Sequence, residues 1–185
     1  MSAFCRRVEP LDVPGPPLSS AHWRMSVEVA EHLPQRLEGF FMYHVLGSGA
    51  PAPDGIVLTW AVVGQGGHGH VNCQNREYVV CLMEKVMGYR EDTEATEQLR
   101  SSIAPPHFDG VPNPNGSPTW WLQNTVFAFR RTEGEAAWPA EARARARAMT
   151  PGDEKALDGF SRAYRAAVEA QGCVAHPETP EGTGR

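Results

Sequence analysis

The chain has 185 residues, 41% of them hydrophobic and 21% charged. That suits one modest domain with a packed core and excludes wholesale disorder. The formal charge of −5 and pI near 5.8 argue against a general nucleic-acid surface, which is normally basic. No run approaches the roughly 18 apolar residues of a membrane span. The first residues lack the apolar stretch of a secretory signal, so a cytoplasmic location is the default reading. The four cysteines, Cys5, Cys73, Cys81 and Cys173, are scattered without a CxxC pair. They are expected as reduced thiols, with Cys73 and Cys81 buried, and not as a disulfide framework.

Residues 1–22 hold several prolines and little periodicity, and read as an irregular arm. Met25–Ala30 is β-prone, with Val27 and Val29 on one face. After Pro34, the residues Leu37, Phe40, Phe41, His44 and Val45 recur at helical spacing, and Gly47 can close the helix. Gly55–Val63 is a nearly unbroken apolar run, as expected of a strand covered on both faces. A glycine-rich break, Gly64–Gly69, follows it. Asn75 is placed to cap a helix whose stripe is Tyr78, Val79, Leu82, Met83 and Val86. Thr93–Ile103 is a more polar helix, Pro105–Pro118 a loop, and Trp121–Arg130 alternates like a strand. This order is an α/β pattern with a mostly parallel sheet. From Glu133 onward Ala, Arg and Glu dominate. Two helices divided by Pro151 are expected, the second with Leu157, Phe160, Tyr164 and Val168 on one side. The organisation read from this is an arm (1–22), an α/β domain (23–131), a helical extension (132–172) and a disordered tail (173–185).

Two polar clusters stand out. Glu28, Glu31 and His32 lie where a strand gives way to a helix. Gly64–Cys73 (GQGGHGHVNC) also follows a strand and precedes a helix, and offers Gln65, His68, His70 and Asn72. In open α/β sheets, ligands bind beyond the carboxyl ends of the strands, so both clusters would face one crevice. The alternatives are exposed turn residues for the first cluster and a flexible glycine loop with solvent-facing histidines for the second. The glycine segment is neither a phosphate-binding GxxxxGK[ST] loop nor a GxGxxG fingerprint. A zinc set of His68, His70 and Cys73 lacks a second ligand pair. Trp120 and Trp121 read as packing residues, not as a base-stacking platform.

The runs MSVEVAEHLP, GIVLTWAVVGQGGHGHVNCQNREYV, GYREDTEATEQLR and NTVFAFRR resemble the second half of class I S-adenosylmethionine-dependent methyltransferases, over about residues 23–131. The resemblance implies a partial Rossmann-like sheet. EVAEH would follow the fourth strand, GIVLTWAV would be the fifth, Tyr89 would open the sixth, and NTVFAFRR would be the seventh, antiparallel to the rest. It implies S-adenosylmethionine as cofactor and a small-molecule acceptor. Glu28, Glu31, Gln65, His68 and Asn72 would line the acceptor side, and His32 or His70 would act as base.

The glycine-rich loop and the ribose-binding acid of the family's first strands have no counterpart before Met25. Donor binding by this chain alone is expected to be weak or absent, leaving an acceptor-side half that is inactive or weakly active unless another polypeptide completes it. The first strand of the sheet would then be an open edge, a pairing hazard covered by the arm or by a second chain, unless the chain is a partial gene product. The small-RNA 2′-O-methyltransferases combine an ExxEH motif with a histidine from an HxH segment to bind a divalent ion. Glu28, Glu31 and His32, with His70 of His68-x-His70, stand in the same order, although the rest of the chain is unlike that branch. Beside the enzyme stand two alternatives: a non-catalytic binding or regulatory remnant, and a divalent-metal module built on Glu28, Glu31, His32 and His70 for Mg²⁺, Mn²⁺ or a similar ion.

Overall fold

A computed structural model describes residues 23–46, 52–103, 120–133 and 153–178. The arm, the proline-rich loop and the first of the two C-terminal helices lie outside the described residues. In chain order the elements are β1 (Trp23–Ser26), a single 3₁₀ turn (Ala30–His32), α1 (Gln35–Leu46), β2 (Gly55–Thr59), α2 (Arg76–Cys81), β3 (Tyr89–Glu91), α3 (Thr93–Ser102), α4 (Trp120–Thr125), β4 (Val126–Arg131) and α5 (Glu154–Ala170). Beyond Cys81, α2 continues as a wider π-helical segment, Leu82–Met87.

The four strands form one mixed sheet in the order β1-β2-β4-β3. β1 runs parallel to β2 with Trp23 opposite Gly55. β4 is antiparallel to both of its neighbours, β2 and β3. The expected mostly parallel sheet is therefore corrected: one pair is parallel and two are antiparallel. The reason is β4, which enters between β2 and β3 from the opposite end. Its sequence also misleads at its start. The strand expected from Trp121 onward begins only at Val126, and Trp120–Thr125 is helical. β1 starts two residues before Met25 and stops at Ser26, because the chain turns at Glu28.

The apolar stripes meet in one core. Ile56 and Leu58 of β2, Phe127 and Phe129 of β4, and Met42 of α1 join Tyr78, Val79, Leu82, Met83 and Val86, together with Phe160, Tyr164 and Val168 of α5. Each fully buried side chain of this size stabilises the fold by roughly 1.5–3 kcal/mol. The helices are capped as their sequences direct at two ends: Asp92 Oδ1 accepts from Ala95 N, and Asp153 Oδ1 accepts from Ala156 N. Asn75 occupies the cap position of α2 but makes no side-chain cap bond.

The cysteine expectation is overturned. Cys81 and Cys173 form a disulfide across 92 residues of sequence. Closing a loop of that length restricts the unfolded chain by about 4–5 kcal/mol in chain-entropy terms. Spacing hides the pair, because Cys81 and Cys173 meet only once α5 docks. Cys73 is a free, buried thiol. The disordered tail is likewise corrected over residues 173–178, which lie extended against α1 and the loop before α2 through bonds to Gln35 and Gln74.

β1 has no strand on its outer side among the described residues. Trp23, Met25, Val27 and Val29 are exposed there, Met25 to 74%. No described helix is long and apolar enough to cross a membrane.

Candidate metal centre

Because β1 and β2 are parallel neighbours, the segments that leave their carboxyl ends emerge side by side. The first segment carries Glu28, Glu31 and His32. The second runs through the glycines to His70, Val71 and Asn72. They are laced together by the carbonyl of Glu31, which accepts from both Val71 N and Asn72 N at 2.9 Å. The pairing of the two sequence clusters is thus physical.

Glu28 sits at the bend with φ of 56°. Left-handed backbone at a non-glycine residue costs on the order of 1 kcal/mol. Thr59, the last residue of β2, holds the bend: its Oγ1 accepts from Glu28 N at 2.7 Å and donates to Glu28 Oε1 at 3.0 Å.

Glu31, His32 and His70 converge, each offering one ligand atom, with these atoms all within 4.8 Å of one another. Glu31 is fully buried, and neither carboxylate oxygen has a hydrogen-bond partner of normal geometry among the described residues. Burial, and then the nearby charge of Glu28, push its pKa up to about 7, while the backbone amides of Glu31 and Ala61 offset part of the rise. His32 Nδ1 lies 3.2 Å from the carbonyl of Gly69. Donation to that carbonyl leaves Nε2 as the basic nitrogen, and Nε2 faces Glu31 Oε1 at 4.0 Å. The two imidazoles stand edge to face with centroids 4.8 Å apart. Burial, and then the neighbouring His32, lower the pKa of His70, which favours the neutral, ligating form.

The glycine loop serves these imidazoles. A Cβ on Gly67 would fall 2.2 Å from His70 Cε1, so only glycine lets the backbone lie against that ring. The open backbone expected to approach a ligand approaches a histidine instead.

Other expected site residues separate from this group. His68 is exposed, and it is not part of the convergent group. Gln65 closes its own turn, with Oε1 accepting from Val62 N at 3.3 Å. Asn72 is corrected as an acceptor-binding residue: it is fully buried and its polar groups are engaged internally. Its side chain donates to Glu38 and accepts from Gln74, and its carbonyl accepts from Trp60 Nε1 at 2.6 Å. Glu28 lies beside Glu31, but its carboxylate is held by Thr59 and is outside the convergent group. The set of His68, His70 and Cys73 does not assemble; Cys73 Sγ comes within 3.9 Å of His70 Nδ1, yet burial raises the thiol's pKa. Sequence reasoning missed Thr59 and Gln74. A polar residue ending an apolar strand was the available signal for the first, and nothing local marked the second.

One carboxylate and two imidazole nitrogens suit a borderline ion such as Fe²⁺ or Zn²⁺ best; of the harder ions, Mn²⁺ takes imidazole more readily than Mg²⁺, which prefers oxygen. Comparison of the chain with family models, with curated proteins and with solved structures gives no match in any of the three.

Proposed function

We propose that this chain is the acceptor-side half of a methyl-transfer cleft, in which Glu31, His32 and His70 hold a divalent cation. The observation that carries the reading is the convergence of these three ligands around a buried carboxylate whose oxygens have no hydrogen-bond partner of normal geometry among the described residues. An unpaired buried carboxylate is costly, and a cation removes the cost. Two further observations support the methyl-transfer part: the site lies beyond the carboxyl ends of adjacent parallel strands, and the last strand is antiparallel to its neighbours, as the family resemblance implies.

A bound cation would polarise an acceptor hydroxyl and ease its deprotonation. The chain's own residues supply the rest. Glu31 sets the charge of the site, His32 is oriented by the Gly69 carbonyl, and His70 is held by the glycine loop. Among the described residues no strand lies beyond β1, so none of them is assigned to holding S-adenosylmethionine.

Calorimetric titration with Mn²⁺ tests the reading. Glu31→Ala is expected to weaken binding on the order of 100-fold. Equal affinity of the two proteins would remove the centre. Titration with S-adenosylmethionine is expected to show no micromolar binding, and such binding would contradict the reading of this chain as an acceptor-side half. The second reading, a non-catalytic binding module, is favoured by the exposed apolar side chains at β1, which has no outer neighbour among the described strands. Mn²⁺ binding without methyl transfer in the presence of a donor-side polypeptide would select it.

A further inference from the structure

The loop that carries the site is braced from behind by the C-terminal segment. α5 ends in a reversal at Gly172, whose φ of 71° is easy for glycine. Gly172 N donates to Glu169 O, and Cys173 N donates to Val168 O. This turn brings Cys173 back to Cys81, where the disulfide forms. Beyond it, Val174–Glu178 runs as an extended strap. His176 N donates to Gln74 Oε1 at 2.7 Å, and Gln74 Nε2 donates to His176 O at 3.1 Å. Gln35 fixes the same stretch through His176 O and Glu178 Oε1. Gln74 passes the constraint inward: its Nε2 also donates to Asn72 Oδ1 at 2.7 Å, and Asn72 N donates to Glu31 O. A continuous run of bonds therefore links the Cys81–Cys173 bridge to the backbone of Glu31.

We infer that the Cys81–Cys173 disulfide is a redox-operated latch: it pins the C-terminal strap on Gln74 and so keeps the Val71–Gln74 loop, and with it the site, assembled. Cys173 is buried to 3% exposure, so a reductant reaches the bond from the half-buried Cys81 side or through the cavity of about 380 Å³ that Cys173, Val174 and Ala175 border. A dithiol reductant opens it by thiol–disulfide exchange. The S–S bond breaks, Cys81 and Cys173 each take up one electron and one proton, and the reductant leaves as its own disulfide. The strap then keeps only its hydrogen bonds to Gln35 and Gln74 and exchanges with solvent, and the loop loses its brace. The inference concerns the order of the loop and stands whether or not a cation binds.

Cys73 lies within that loop and is buried to 7% exposure, so it reports the latch directly. The full chain, oxidised or reduced by a dithiol that is then removed, is pulsed with an alkylating agent. The labelled positions are read by peptide mass spectrometry, with amide exchange measured in parallel. Reduction is expected to speed Cys73 alkylation about tenfold and to release the Val71, Asn72 and Gln74 amides, while β2 and β4 stay protected. Unchanged Cys73 labelling while Cys81 and Cys173 are both labelled overturns the latch. Loss of protection in β2 and β4 also overturns it, because the bridge is then a plain structural staple. A second protein, truncated after Cys173, keeps the bridge and lacks the strap. It is expected to label Cys73 as fast as the reduced chain, and labelling as slow as in the oxidised chain overturns the coupling.

Discussion

Glu31 and Glu38 are both buried glutamates, seven residues apart, and they live in opposite surroundings. Glu38 joins three elements: Tyr78 Oη and Tyr164 Oη donate to its Oε1, and Asn72 Nδ2 donates to its Oε2. Burial raises its pKa, and these three donors pull back against the rise. Glu31 has the same burial, but no hydrogen bond of normal geometry reaches its oxygens among the described residues; of the backbone, only its own amide and that of Ala61 act on it. A carboxylate ringed by donors is a crosslink of the fold. One left without them, beside two imidazoles, is where the proposed cation would sit. Burial alone would have ranked the two alike.

The sharpest way to break this contrast is to delete each carboxylate in turn. Glu38→Ala strands the two phenols and the Asn72 amide, and is expected to cost about 3–5 kcal/mol in urea denaturation. Glu31→Ala removes a group with nothing to lose, and is expected to lie within about 1 kcal/mol of the parent or to stabilise it at pH 8. Similar losses for the two variants would end the distinction.

The pH dependence of the cation-free protein comes next in size. Glu31 titrates near 7 in the fold against 4.5 when unfolded. The folded state therefore binds more protons than the unfolded state between these values, and stability falls as pH rises through that window. The fall assigned to Glu31 together with its neighbour Glu28 is on the order of 3 kcal/mol and levels off about one pH unit outside that window. Denaturation in a chelating buffer across pH 4–8 should show it. Glu31→Gln should remove that part of the slope and leave the part due to Glu38, which has the same sign. A variant that keeps the parent's slope would refute the assignment.

The smallest expected effect on stability lies at the sheet edge, where Met25 is largely exposed. Met25→Lys should shift stability by less than about 0.5 kcal/mol while suppressing concentration-dependent association in light scattering. An unchanged mass at every concentration in both proteins would show that the edge does not recruit a second chain.

Much of the fold was legible because its signals are local. The stripe from Tyr78 to Val86 and the face of Phe160, Tyr164 and Val168 are all buried, and Gly55–Thr59 lies within the expected strand. The site was legible in part, since Glu31, His32 and His70 each follow a strand and parallel pairing brings them together. What stayed hidden depends on distance along the chain. Asn72 looked like a ligand-binding amide because its satisfaction by Glu38 and Gln74 is tertiary. Cys81 looked like a thiol because its partner lies 92 residues away. Trp121 and Leu122 were misread because a six-residue helix is too short to display its period next to the strand it leads into.

The bend at Glu28 sets two demands against each other at one position. Glycine there would relieve the backbone, and the same exchange would delete the negative charge that neighbours Glu31. Glutamate in that posture therefore sets backbone ease against its side-chain bond to Thr59 and a charge beside Glu31.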